Sequence, residues 1–375
     1  MNILLIGGGL QGMSCGESLR QEGHEVDMVS SGLQVRHSCF WRKIYESEPE
    51  IKIDGLSNIL KNETFDVIVP MGDADVSLLS KNKAFIEQTF GVKCASPDYE
   101  KLSIVEDKHR FMAFCAENDV PHPKTAVLGK DNLETIANEV GFPSLIKPDF
   151  SVGARGITRV DSIEELKGKY TEIFEKYGSC TLQELIENEE YYYNVMLYRS
   201  KEGKYLGNAI SKIVRMYPVH AGSSSCLVTV ENEELLKICK NCLDKLEWVG
   251  MADFDVLQRL DNKEYKIIEI NARVPASLRA AQISGVNFPE IIVRDTLNKD
   301  VPTYFYQPGK TLRYMGIDIM WLLKSSKRFK TKPSWLHFLG RNVYYQDIIK
   351  KDPSTWWTWL AEGISKITRR NKRLR

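Results

Sequence analysis

The chain has 375 residues, with 51 Lys and Arg against 50 Asp and Glu and a hydrophobic fraction of 43%. That length allows two or three domains with cores of their own, and the balanced charge argues against a nucleic-acid partner. Eight cysteines without framework spacing, an opening strand with no leader before it, and no apolar run near the roughly 20 residues of a membrane helix point to a reducing cytoplasm.

In chain order, residues 3–6 read as a strand, 7–12 as a glycine-rich turn, 14–22 as a helix, and 25–29 and 66–69 as further strands. This alternation predicts a parallel α/β domain over residues 1–95. A helical pattern over 106–117 ends before Val120-Pro121-His122-Pro123. Short strands follow at 144–147, 158–160, 180–183, 192–198 and 208–213. A helix over 231–246 leads into strands 250–260 and 264–271, joined by the turn Asp261-Asn262-Lys263. This second part is α+β with antiparallel pairing. Residues 301–375 are Trp- and Lys-rich and largely helical by pattern. Cys239 and Cys242 form a lone C-x-x-C inside the 231–246 helix, read as a packed face rather than a metal or redox site.

Gly7-Gly8-Gly9-Leu10-Gln11-Gly12 satisfies G-x-G-x-x-G between a strand and a helix, as a dinucleotide site requires. Such a site also needs an acid closing the second strand to hold the ribose hydroxyls. That strand ends Val26-Asp27-Met28-Val29-Ser30, so Ser30 stands in the acid's place and Asp27 lies inside the strand on the wrong face. The glycines are therefore read as a tight turn in a Rossmann-like domain that binds no dinucleotide.

The middle of the chain carries more specific chemistry. Ser144-Leu145-Ile146-Lys147-Pro148 is a strand delivering a lysine at its end. A loop of small residues with one guanidinium follows, containing Ser151, Gly153, Arg155 and Gly156. A fixed ammonium neutralises phosphate oxygens while backbone N–H groups of such a loop fold over them. The strand ending Glu184-Leu185-Ile186 exposes backbone groups suited to an adenine edge, and the acidic run 187–190 offers a carboxylate for ribose. A solvated hairpin is the competing reading of those glutamates.

Asp255 lies between apolar neighbours in a strand that must be largely buried, where an unpaired carboxylate is costly. Antiparallel pairing brings it beside Glu269 and Asn271, which share a face because strand side chains alternate. Two carboxylates and an amide on one face suit Mg²⁺ held jointly with phosphate oxygens. The competing reading is a polar face on which Glu269 pairs with Arg273 or Arg279.

These elements resemble, in order and spacing, the ATP-grasp superfamily over about residues 1–300. The likeness is to its carbamoyl-phosphate-synthase-like branch and to stand-alone carboxylate–amine ligases. It rests on "EDKHRF", "VPHPKT", "IKPDFSVGARG", "LQELIENEE", "ADFDV" and "IIEINAR". The resemblance implies a Rossmann-like pre-ATP-grasp domain (1–95) and an ATP-grasp fold (96–300, linker helix near 106–118). A mostly helical extension with a basic tail (301–375) completes the chain.

By the same resemblance, Lys108 and Lys147 would contact ATP phosphates, with Ser151, Gly153, Arg155 and Gly156 as the covering loop. Glu184, Leu185 and Ile186 would read adenine, and Glu190 (or Glu187) ribose. Asp255, Glu269 and Asn271 would hold Mg²⁺, with Mn²⁺ able to substitute. Arg273, in an "NAR" that replaces a commoner "NPR", would stabilise an acyl phosphate and the transferring phosphoryl group. Residues 212–218 and 221–225 resemble the segment lining the phosphate and acceptor side, although Ala221 replaces its first glycine. Arg215 of that segment would join Lys147 and Arg273 as a catalytic cation and would bind substrate. Arg279 would bind a substrate carboxylate, with a surface arginine as the competing reading.

The implied activity is that of an ATP-dependent ligase. It would activate a carboxylate as an acyl phosphate for attack by an amine of amino-acid or amino-sugar type, releasing ADP and phosphate. No protein nucleophile is needed, because positioning and charge neutralisation carry such chemistry. Two alternatives stay open: a carbamoyl-phosphate-synthase-like or carboxylating enzyme using bicarbonate, and a non-catalytic nucleotide-binding protein. Carbamoyl phosphate synthesis takes two ATP-grasp halves, and this chain has one. The implied partners are a small-molecule carboxylate and amine, with a homodimer as the default oligomer.

Beyond residue 352, Trp356, Trp357 and Trp359 precede a tail containing Lys366, Arg369, Arg370, Lys372, Arg373 and Arg375. Such a segment suits peripheral contact with an anionic membrane. The competing reading is aromatic packing followed by a solvated tail.

Overall fold

The computed structural model describes residues 1–30, 32, 35–47, 50–149, 156–219, 222–349 and 351–354. The first part consists of β1 (Asn2–Ile6), α1 (Leu10–Gln21), β2 (Glu25–Val29), β3 (Ile44–Tyr45), α2 (Ile53–Asn62), β4 (Val67–Pro70), α3 (Asp73–Phe90) and β5 (Lys93–Cys94). Its strands pair in parallel in the order β3-β2-β1-β4-β5. Leu4, Ile6 and Ile68 are buried on one face and Ile3, Leu5 and Val69 on the other. Burial on both faces explains the unbroken apolar runs in the sequence.

Two helices follow, α4 (Tyr99–Glu106) and α5 (Lys108–Glu117). The helix expected from residue 106 is thus divided, with Glu106 closing α4. Asp107 is the N-cap of α5, its Oδ1 accepting from the Arg110 amide at 3.0 Å. A cap of this kind stabilises a helix start by about 1 kcal/mol, and it makes Lys108 the first residue of α5.

The next layer holds β6 (Thr125–Val127), α6 (Leu133–Val140), β7 (Ser144–Pro148), β8 (Thr158–Val160), α7 (Ile163–Tyr177) and β9 (Cys180–Glu184). They form an antiparallel sheet ordered β6-β9-β7-β8. The largest sheet comes last: β10 (Tyr192–Arg199), β11 (Tyr205–Tyr217), β12 (Ser223–Thr229), α8 (Glu233–Lys245), β13 (Gly250–Gln258), β14 (Tyr265–Asn271), α9 (Leu278–Ile283), α10 (Phe288–Thr296), β15 (Thr311–Arg313), α11 (Met315–Lys324) and β16 (Val343–Tyr345). Its order is β14-β13-β10-β11-β12-β15-β16.

One face of this sheet covers α4, α5 and α8 through Val195, Ile210, Phe254 and Val256, with Cys239 and Cys242 in the same core. On the other face, Met196, Tyr198 and Phe288 share a core with Leu5 and Met13 of the first part. Polar contacts reinforce that junction, including the buried His24–Glu290 pair at 2.7 Å.

The C-terminal extension differs from expectation. Between residues 301 and 349 there is one helix, α11, and the rest of the regular structure is strand. β15 pairs antiparallel with β12, and β16 parallel with β15, so both widen the large sheet. Three-residue strands are too short to leave a period-two signal, which is why pattern reading missed them. Among the described residues no helix is long and apolar enough to cross a membrane. The tryptophan and basic segment proposed for membrane contact lies outside the described residues from position 355 on.

Candidate active site

Asp255 is directly opposite Glu269 in the β13–β14 register, and Asp253 is opposite Asn271. Alternation puts these four on one face, while Phe254, Val256 and Ile270 point into the core behind. From β10, Asn194 is opposite Asp255 and its Nδ2 donates to the Asp255 carboxylate. Asn271 therefore lies one pair further along than the expected placement beside Asp255.

Burial drives the Asp255 carboxyl well above the usual carboxylate range, and Glu269 and Asp253 push it the same way. Asp253, 2% exposed, is raised to about 8 by burial, offset in part by Arg273 and reinforced by Glu269. Its Oδ1 is buried without a hydrogen-bond partner. Crowded carboxylates of this kind are costly unless a cation joins them.

The donor set fits Mg²⁺, a hard cation taking oxygen ligands and sharing them with phosphates. Among the described residues no group of three or more His, Cys, Asp or Glu side chains is arranged to hold a metal alone. A cation at Asp255 and Glu269 would thus draw further ligands from Asn271 and from substrate.

Arg273 flanks this face. Its Nε donates to Asp73 Oδ1 at 2.8 Å and its Nη2 to Asn271 Oδ1 at 3.3 Å. Arg279 is held elsewhere, its Nη1 donating to Glu17 Oε2 on α1 at 2.7 Å. Neither arginine is bonded to Glu269, so the competing reading of a paired Glu269 finds no support in these contacts.

Lys147 leaves the end of β7 nearly buried, 8% exposed, and its Nζ donates to Gln183 Oε1 on β9. Burial, with a smaller push from Lys108, lowers its pKa to about 8, while Glu269 acts in the opposite direction. Lys108 and Glu269 therefore both lie within electrostatic reach of Lys147, although the three belong to different layers. Gly156 has φ +78°, and a Cβ there would come within 2.8 Å of Pro148 and Tyr177. Ser151, Gly153 and Arg155 lie outside the described residues.

At the proposed adenine edge, the Glu184 carboxylate accepts from Arg259 Nη1 and from the Lys124 amide. The Leu185 amide already donates to Pro143 O at 3.1 Å, so that donor is not available to adenine. Ile186 is buried. Glu190 has φ +62° and accepts from Lys327 Nζ at 2.7 Å, which ties the ribose candidate to the C-terminal extension.

Arg215 is the clear correction. Its side chain is fully buried, with Nε and Nη2 on the two Asp318 oxygens at 2.8 and 2.9 Å. Nη1 donates to Thr331 Oγ1 and Pro333 O. Arg313 reaches the same carboxylate at 2.8 Å. With Nε and both terminal nitrogens engaged inside the protein, Arg215 fastens the C-terminal extension to β11 and is not presented to a substrate.

Sequence reading missed Asp253, Asn194 and Asp73. Asp253 was within reach, because it precedes Asp255 by two and so must share its face. Asn194 left a weaker trace as an amide in an otherwise aromatic and apolar strand. Asp73 left none, since its meeting with Arg273 spans 200 residues.

Residues 182–318 match the family described as ATP-grasp in the biosynthetic pathway with Ter operon. The chain carries an ATP-grasp fold. It is 24% identical over 309 residues to the mitochondrial arginine-specific carbamoyl phosphate synthase large chain of Schizosaccharomyces pombe, covering 78% of this chain and 26% of that one. It is also 24% identical over 315 residues to the D-aspartate ligase of Enterococcus faecium, covering 78% and 74%. Among solved structures, the Campylobacter jejuni biotin carboxylase–β,γ-ATP complex aligns with a TM-score of 0.68 at 16% identity, covering 81% of this chain and 73% of that one. The chain thus spans about a quarter of the carbamoyl phosphate synthase relative and about three quarters of the ligase.

Proposed function

We propose that the protein is an ATP-dependent carboxylate–amine ligase. The observation that carries this reading is the opposed pair Asp255–Glu269, with Lys147 and Arg273 as the adjacent cations. Mg²⁺ held at Asp255, Glu269 and Asn271 would neutralise the phosphate oxygens. Lys147 and Lys108 would bind the β- and γ-phosphates, displacing the hydrogen bond from Lys147 to Gln183. A substrate carboxylate oxygen would attack the γ-phosphorus in line, ADP would leave, and Arg273 would hold the acyl phosphate through paired N–H donors. The amine would then attack the acyl carbon and lose a proton as inorganic phosphate departs. Arg279 would contact the substrate carboxylate only by releasing Glu17.

The comparison with D-aspartate ligase, of which this chain spans most of the length, favours an amine acceptor. The likeness to carbamoyl phosphate synthase and biotin carboxylase supports bicarbonate as the second reading. ADP release measured with amino-acid pools, with and without bicarbonate, separates them. Release that requires both a carboxylate and an amine is expected; release that requires bicarbonate favours the second reading. No substrate-dependent release under any condition favours a nucleotide-binding protein without catalysis.

A further inference from the structure

The glycine turn after β1 has a second consequence, independent of nucleotides. Gly7 and Gly8 have φ +74° and +94°, conformations that glycine adopts freely. A Cβ on Gly7 would lie 2.0 Å from Asp75 Oδ2, and one on Gly72 would lie 2.7 Å from the same oxygen. The glycines thus make room for a carboxylate above the turn. Beside the turn opens a cavity of about 120 Å³, lined by Gly7, Gly8, Ser30, Ser47, Ile51 and Asp75 among others.

Asp75 is 9% exposed. Its carboxylate accepts from the Gly72 amide, and the charges acting on it, Glu50 and Asp73, are both negative. Burial raises its pKa to about 7, with no cation among the described residues to offset it. A wall carrying this carboxylate repels a pyrophosphate and attracts a positive group. The volume is far below the roughly 300–1,000 Å³ of a pocket that encloses a whole ligand, so the cavity takes the end of a molecule.

Position links the cavity to the chemistry. Asp73, two residues before Asp75 at the start of α3, is the residue that holds Arg273. The same helix start therefore borders the cavity through Asp75 and the acyl-phosphate side through Asp73. We infer that the cavity anchors an ammonium group of the amino substrate, with Asp75 as its counter-charge and the hydroxyls of Ser30 and Ser47 as flanking acceptors. This rests on the ligase reading for its substrate class, but its binding step needs no turnover.

The test is ligand binding by thermal shift at pH 8, using amino acids, their methyl esters, the corresponding simple amines, and N-acetyl amino acids. Ammonium-bearing ligands are expected to stabilise the wild-type protein and the catalytically impaired Glu269→Gln protein, whereas N-acetyl compounds do not. Asp75→Asn should abolish the ammonium shift and keep the MgATP shift. In steady state it should raise KM for the amine tenfold or more with KM for ATP unchanged. Ile51→Phe, which fills the cavity from another wall without touching the charge, should give the same loss and covers the case in which Asp75→Asn does not fold. Ammonium ligands that shift neither wild type nor Glu269→Gln, or that shift Asp75→Asn as much as wild type, would overturn the inference. Failure of the ligase reading alone would leave these binding differences intact while ADP release stays absent.

Discussion

Asp255 and Glu269 stand side by side on neighbouring antiparallel strands, and the nearby arginines bond to other residues, Arg273 to Asp73 and Asn271 and Arg279 to Glu17. Two carboxylates so placed repel in the absence of a cation. Glu269→Gln and Asp255→Asn are expected to lower turnover at least a hundredfold. Either change should stabilise the metal-free protein, because it removes one of the two facing charges that burial penalises. Melting curves in EDTA and in MgCl₂ check this: the Mg²⁺-dependent rise of the wild type should disappear in both variants.

Arg215 is expected to matter for folding rather than for substrate. Breaking a buried ion pair by removing one partner costs about 3–5 kcal/mol, so Arg215→Ala and Asp318→Ala should both unfold at lower denaturant. The folded fraction at low temperature should keep its KM for ATP. A selective rise in KM with unchanged denaturant midpoint would return Arg215 to the substrate side.

The contrast between these residues shows what a sequence discloses. The acid pair was legible because alternation and one short hairpin fix both faces and partners between residues 255 and 269. Arg215 was misread because strand parity gives its face but not its partner, and Asp318 lies 103 residues away. The same limit hid the Arg279–Glu17 contact, separated by 262 residues. The extension after residue 300 was read as largely helical because its strands are shorter than the period that would reveal them.

Lys147 carries a pH prediction. Its pKa is lowered to about 8 by burial, so in the free protein its charge is present below pH 8 and is lost above it. kcat/KM for ATP should therefore fall as pH rises through about 8. Lys147→Met should remove that limb and raise KM for ATP at least tenfold at pH 7. A profile flat from pH 7 to 9 would contradict the role of this ammonium in phosphate binding.

Asp75 carries a stability prediction with the same origin, burial, which here raises the pKa. Its folded pKa, raised to about 7, exceeds the unfolded value near 3.9. The folded state binds the extra proton between those values, so this group lowers stability as pH rises from about 4 to 7. Asp75→Asn should therefore gain stability relative to wild type at pH 8 and little at pH 4, by an amount on the order of a few kcal/mol. Urea midpoints at the two pH values measure the difference.

The most direct test of the ligase reading follows an oxygen atom. With a pool of carboxyl-¹⁸O-labelled amino acids, MgATP and an amine, acyl-phosphate chemistry transfers one labelled oxygen from the carboxylate to inorganic phosphate. Phosphate carrying a single ¹⁸O, formed in step with ADP, is the expected result. ADP and unlabelled phosphate released at the same rate with or without the carboxylate would contradict it.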